Sequence, residues 1–458
     1  MRRFCVITAV FIARSVALAL RLLGRRGTSL PGLIALRLCP DILGYFLCRL
    51  DTFVIVSGTN GKTTTTALLH AALGDPKSSW ITNEGGANLM QGLVSAFLPH
   101  VTLAGALLRR AALLEVDEAT LPRIVRLRSP TLLIVTNVLR DQLDRYGEVD
   151  QALACLREGV RDAATALVTN ADDPLASSLG LERELSYYFG LADAPQDDAP
   201  RSEIRDGAFC LLCGAELEYT RVVYGQMGDY RCPTGHFHRP VPHVAGSLAA
   251  WPAERIAISE RFSGREGGRF WLPLTVTGLY NVYNLLAAVA AARVLGCSPA
   301  RIERGLGLYR APTGRMQTVC TNPRVILSLI KNPAGATAVL RAAEADQEEK
   351  AVCFVINDAD ADGRDVSWLW DVDLESFVPR SHCLAWYCAG TRGPDMAVRL
   401  AYAGVDRAAI KTVPELGLIP GHALRSTVPV YILSTYTALH AIADMFADQA
   451  AHGAGAPY

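Results

Sequence analysis

A chain of 458 residues, half of them hydrophobic, is longer than one ordinary core organises, so two or three packed domains are expected. Its 45 basic and 45 acidic side chains cancel, which leaves no overall charge excess to hold nucleic acid or to draw the whole chain to an acidic membrane. Twelve cysteines, scattered except for one cluster, do not make a disulfide framework and fit a reducing cytosol.

Residues 1–46 read as a helical lead. Arg2 and Arg3 precede an apolar run, as in a signal peptide, but Arg14, Arg21, Arg25 and Arg26 interrupt or follow it, and no small-residue cleavage site precedes the turn at 27–32. The reading is an amphipathic helix that touches a membrane surface. No later run is long and uncharged enough to span a bilayer.

From about residue 50 to 175, short apolar strands alternate with helical stretches, the signature of an α/β, parallel-rich sheet with its chemistry at the carboxyl ends of the strands. Strands are expected at 53–56, 113–116, 132–136 and 166–169. The first runs into Gly58-Thr59-Asn60-Gly61-Lys62-Thr63-Thr64 and then a helical run. Such a turn points N–H groups and a helix N-terminus at polyphosphate, Lys62 adds charge, and the Thr63 hydroxyl is a Mg²⁺ ligand. Val56 stands where the longer form of this loop has glycine.

Residues 190–268 break the rhythm with a linker-like stretch, the cysteine cluster and a hairpin turn at 264–268. The first domain resumes at Gly278 and closes near 309. A second α/β domain, 310–458, is expected to carry strands at 325–329, 351–356, 383–388 and 428–433.

Together these motifs resemble the Mur ligase superfamily: the loop at 57–63, Asn83 to Asn88, Leu114 to Glu118, Asn137 to Gly147, Asn170 to Asp173, Tyr280 to Asn284 and Gly314 to Gln317. The resemblance is closest to its MurT branch, through the runs 141–150, 331–335 and 357–368, and it covers nearly the whole chain. It implies a central ATP-binding domain at 47–309 and a Rossmann-like MurT-type ligase domain at 310–458. It also implies ATP and Mg²⁺, and activation of a carboxylate as an acyl phosphate for attack by an amine. By motif position Glu115 becomes the second Mg²⁺ ligand, with Asp117 and Glu118 close behind. Asn281 and Asn284 become the adenine readers, with helix capping as the plain alternative, and Arg315 reaches the phosphates from the domain junction. No lysine lies between Lys77 and Lys331 to be carbamylated, and Gln142 replaces a metal-binding histidine, so a two-metal site is not expected.

No Gly-x-Cys-x-Gly elbow occurs for glutamine hydrolysis. The resemblance therefore implies a separate GatD-type glutaminase in a heterodimer, with Asp365 completing the partner's Cys–His pair and Asp371 and Asp373 as neighbouring alternatives. The substrate so implied is lipid II, amidated at the inner face of the cytoplasmic membrane. Folylpolyglutamate-synthase-like or peptide ligation, and a non-catalytic nucleotide-binding module, are the competing readings.

Cys210, Cys213 and Cys232, within an insertion at 198–245, have the spacing of a zinc ribbon that has lost one ligand: Gly235 stands where relatives place a fourth cysteine. His236 or His238 is the candidate replacement. Zinc here would be structural, because a closed site has no open position for chemistry.

Overall fold

The computed structural model describes residues 2–22, 28–74, 80–83, 86–140, 149–163, 165–181, 183–193, 205–262 and 267–453. Gln142 and the rest of 141–148 lie outside them, as do residues 84 and 85, part of the linker at 194–204 and most of the turn at 264–268.

The first sheet has nine strands, in the order Arg269–Pro273, Arg255–Glu260, Val244–Ser247, Ser186–Asp193, Ala166–Asn170, Leu132–Val135, Thr52–Ser57, Ala111–Glu115, Trp80–Ile81. The seven strands from Val244–Ser247 to Trp80–Ile81 pair in parallel; the two at the opposite edge are antiparallel. Alternation in Thr52–Ser57 explains its place at the centre. Phe53 and Ile55 enter one core and Val54 and Val56 the other, so both faces are buried.

The leading helices share the first of these cores. Val6, Ala9, Val10, Ala13, Ile42 and Phe46 pack in the same cluster as Phe53, Ile55 and Leu114. The opposite face is covered by the alanine-rich helix Leu279–Val294, whose small side chains let it lie close against the sheet and the helix Lys62–Ala72.

The sequence rhythm breaks at 190, but the sheet does not. Ser186–Asp193 pairs in parallel with Val244–Ser247 across a fifty-residue insertion. The insertion holds a separate hairpin, Glu218–Tyr224 with Met227–Arg231. The second sheet has six strands, Gln317–Thr321, Arg324–Leu329, Val430–Ser434, Lys350–Val355, Cys383–Ala389, Ile410–Val413, all parallel except the first. Alternation again sorts Val352 and Phe354 to one face and Ala351, Cys353 and Val355 to the other.

The antiparallel edge is locked to the alanine-rich helix by a buried two-pronged ion pair. Arg293 Nε donates to Glu260 Oε2 at 2.6 Å and Nη2 to Oε1 at 2.7 Å. Glu260→Gln strands the guanidinium charge and is expected to destabilise the fold by about 3 kcal/mol, read as a lower urea midpoint. Adding Arg293→Met should recover part of that loss. An unchanged midpoint in the single variant would mean that the pair is solvated.

Candidate active site

The glycine-bounded loop lies between the end of Thr52–Ser57 and the start of the helix Lys62–Ala72. Two glycines are required by its shape. Gly58 has φ +112° and Gly61 φ +85°, and a Cβ on Gly61 would come within 2.0 Å of Asn284 Oδ1. Val56 belongs to the strand, where it is buried and in register with Glu115 on one side and Ile134 on the other. The turn thus starts only at Ser57, and the glycine missing at 56 is a strand residue.

That register sets the acidic cluster beside the loop. Thr63 Oγ1 donates to Glu115 Oε2 at 2.8 Å, while Asn88 Nδ2 holds the other carboxylate oxygen at 3.2 Å. The Asn83 side chain brackets the Glu115 backbone, accepting from its N–H and donating to its carbonyl, both at 2.8 Å. Lys62 Nζ donates to the loop's own carbonyls, Gly58 O at 2.5 Å and Thr59 O at 3.2 Å, and to Glu118 Oε2 at 3.0 Å. Arg315 Nη2 reaches Thr63 Oγ1 at 3.4 Å from the junction between the sheets. Burial draws its guanidinium below the ordinary arginine value, and the Glu115 charge opposes that shift. Ser57 Oγ, buried at the base of the loop, has no hydrogen-bond partner among the described residues.

Asparagines clasp the loop from three directions. Asn137 Oδ1 accepts from Asn60 N at 2.9 Å and its Nδ2 donates to Asn60 O at 3.0 Å. Asn284 accepts from Thr65 Oγ1 at 3.4 Å and donates to Asn281 Oδ1 at 2.9 Å, and Asn281 Nδ2 donates to Thr277 O at 2.7 Å. From the second domain, Asn332 Nδ2 donates to Asn60 Oδ1 at 3.0 Å and its Oδ1 accepts from Asn60 Nδ2 at 3.3 Å.

Residues 56–203 match the Mur ligase middle domain and residues 329–439 the MurT ligase C-terminal domain. The chain is 33% identical over 401 residues to the lipid II isoglutaminyl synthase (glutamine-hydrolyzing) subunit MurT of Staphylococcus aureus strain COL, covering 87% of this chain and 88% of that one. Identity to the subunit of the same name from Streptococcus pneumoniae R6 is also 33%, across 95% and 96% of the two chains. The chain belongs to the MurT family of Mur ligases. Its fold matches a pseudomurein peptide ligase type C from Methanothermus fervidus with a TM-score of 0.65 at 21% identity, covering 90% of this chain and 81% of that structure.

Within this MurT-family chain, Lys62, Thr63, Glu115 and Arg315 come together at the loop, and Asn281 and Asn284 brace it from beneath. Asp365 lies elsewhere, in the loop after Lys350–Val355, half-buried. Its carboxylate accepts from Ser367 N at 2.8 Å and Ser367 Oγ at 2.9 Å. Of the neighbouring acids, Asp371 meets Arg140 Nη1 at 3.5 Å and Asp373 caps a short helix through Ser376 N at 3.3 Å.

Three contacts important to the arrangement were not foreseen from the sequence, where Glu118 was only an alternative Mg²⁺ ligand and Asn332 and Arg140 were only members of motifs. Glu118 holds Lys62, Asn332 joins the domains, and Arg140 ties Asp206 of the insertion (backbone N to Oδ2, 2.7 Å) to Asp371. Each lies in one of the motifs already singled out, but its partners are distant in sequence.

The thiols of Cys210, Cys213 and Cys232 lie within 4.8 Å of one another. Thr234 sits among them. Its Oγ1 contacts Cys232 Sγ at 2.9 Å, Cys213 Sγ at 3.3 Å and His236 Nδ1 at 3.1 Å, and His236 also interacts directly with the Cys213 thiol, which raises the imidazole pKa above its ordinary value.

Asn332 also caps the helix Pro333–Glu344 by accepting from Gly335 N at 2.8 Å. Asn332→Ala is expected to cost about 1 kcal/mol of stability and to slow ATP turnover roughly tenfold through loss of the interdomain clasp. Asn332→Asp keeps the cap acceptor and loses the donor to Asn60, so it should restore stability and leave turnover low. Wild-type turnover in Asn332→Asp would remove the clasp from the catalytic cycle.

Proposed function

We propose that the chain is the ATP-hydrolysing synthase subunit of a two-subunit amidotransferase of peptidoglycan synthesis. It converts the α-carboxylate of D-glutamate in lipid II to the amide of D-isoglutamine, with ammonia supplied by a GatD-type glutaminase partner, at the inner face of the cytoplasmic membrane. The carrying observation is the relationship over nearly the full length to two subunits that bear that name. The geometry agrees with it. In this reading residues 47–309 are the ATP-binding domain, with 1–46 as helical lead and 198–245 as ribbon insertion, and 310–458 is a Rossmann-like domain that presents Asp365.

The loop amides of Gly58 to Thr64 and the helix behind them hold the nucleotide phosphates. Thr63 and Glu115, a hydroxyl and a carboxylate already in contact, form an oxygen donor set suited to Mg²⁺, which neutralises phosphate charge when bound. Lys62 leaves the loop carbonyls to meet the phosphates, and Arg315 adds charge from the second domain. Asn281 and Asn284 are assigned to the adenine side. The substrate carboxylate oxygen attacks the γ-phosphorus and ADP leaves. Ammonia then attacks the acyl carbon, and phosphate departs as the nitrogen loses a proton.

With the partner, lipid II, glutamine and ATP, the chain should form the amidated lipid, and Lys62→Ala or Glu115→Gln should lower that rate by at least about a hundredfold. Asp365→Asn should abolish glutamine hydrolysis and leave amidation from added ammonium salts intact, because its place is to orient the partner's histidine. Unchanged glutaminase activity in Asp365→Asn would overturn the role in trans. Ligation of an amino acid without any partner would overturn the amidotransferase reading in favour of a peptide ligase.

For the cysteine cluster the proposal is structural zinc. Thiolates on one tetrahedral zinc, each about 2.3 Å from the metal, lie about 3.8 Å apart, which fits the observed grouping. Purified chain should carry about one zinc by elemental analysis, and Cys213→Ser should lose it. Full zinc in Cys213→Ser would sink the assignment, and full zinc in His236→Ala would place the fourth ligand elsewhere.

A further inference from the structure

The leading helix Arg2–Leu22 has two apolar faces. One is buried: Val6, Ala9, Val10 and Ala13 pack into the core of the nine-stranded sheet, Cys5 Sγ donates to Leu38 O, and Arg14 Nη1 donates to Val101 O at 2.9 Å. The other face is open. Phe4, Phe11, Leu18 and Leu22 are 77, 58, 60 and 80% exposed. Their spacing of seven, seven and four residues sets them in one line along a helix. A soluble surface gains nothing from a row of large apolar side chains of this kind.

The polar groups between these side chains are already satisfied. Thr8 Oγ1 donates to Phe4 O at 3.1 Å and Ser15 Oγ to Phe11 O at 3.0 Å, so neither hydroxyl proton needs water. The charge of the leading segment has one sign in the sequence. Seven arginines precede the first acidic residue of the chain, Asp41, although the chain as a whole is neutral.

We propose that this stripe is a docking surface for an anionic lipid bilayer, on which the helix lies in the membrane plane. The 19 residues Phe4–Leu22, with mean hydropathy 1.9, are long and apolar enough to cross a membrane. Crossing would strip Val6, Ala9, Val10 and Ala13 from the core, whereas lying flat keeps that face in the protein and gives the other to lipid. A second copy of the chain is a poorer occupant, because a two-fold contact would bring two copies of this positively charged segment together.

The inference rests on the lipid II reading for its purpose, but its test does not. Full-length chain is mixed with vesicles of phosphatidylglycerol and phosphatidylcholine that contain no lipid II, and binding is read by flotation. Wild type should float, less so in high salt. Phe11→Ser with Leu18→Ser should weaken binding at least about tenfold with an unchanged melting curve, and Arg21→Glu alone should weaken it too. Failure of wild type to float, equal flotation of the double variant, or loss in that variant of a dimer formed without vesicles would each overturn the proposal. Amidation of detergent-dispersed lipid II tests the substrate reading separately.

Discussion

The turn between Ser57 and Lys62 has no room for a side chain at Gly61, and much of the site follows from that constraint. A Cβ there would overlap the Asn284 amide, which the helix Leu279–Val294 holds against the turn. Both neighbours of the turn are fixed by register: Val56 beside Glu115 and Ile134, Thr136 N on Ser57 O. With strand ends and helix pinned, the amides of the turn are set in place before any anion arrives. Preorganisation of this kind would reduce the ordering cost of the phosphate binding proposed for the turn.

The same constraint decides how the two sheets cooperate. Asn60, at the tip of the turn, is the residue that Asn332 of the second domain holds, and Thr63, at the helix start, is the one Arg315 reaches. A second tie runs from Arg140 to Asp371, with Asp206 of the insertion on the same guanidinium. A change in domain angle would therefore act directly on the turn and on the start of the helix behind it. In the proposed chemistry this matters, because the acyl phosphate must be shielded from water until ammonia reaches it.

The strand, glycine turn and helix at 52–72 were legible in the sequence because their demands are local: glycines at fixed offsets, then a lysine and a hydroxyl after an apolar strand. The main parallel strands were legible for the same reason, within about two residues at most ends. The strands Ser186–Asp193 and Val244–Ser247 were not, because their pairing spans an insertion that erases the alternating rhythm. The Asn60–Asn332 clasp joins residues 272 positions apart, and no spacing rule reaches that far. In the cysteine cluster the three thiols could be read from their spacing. Thr234 could not, because a hydroxyl among thiols carries no sequence signature.

The leading helix shows how one element can serve fold and location together. Its inner face shares a core with Phe53, Ile55 and Leu114, the strands that end at the phosphate loop and at Glu115. A bilayer holding its outer face would therefore hold the sheet, and with it the direction in which the loop faces. A helix on a flexible tether would concentrate the enzyme at the membrane but leave its orientation free. Packed as it is, the helix would also set the angle at which a lipid-linked carboxylate meets the site, so the arrangement addresses orientation as well as encounter.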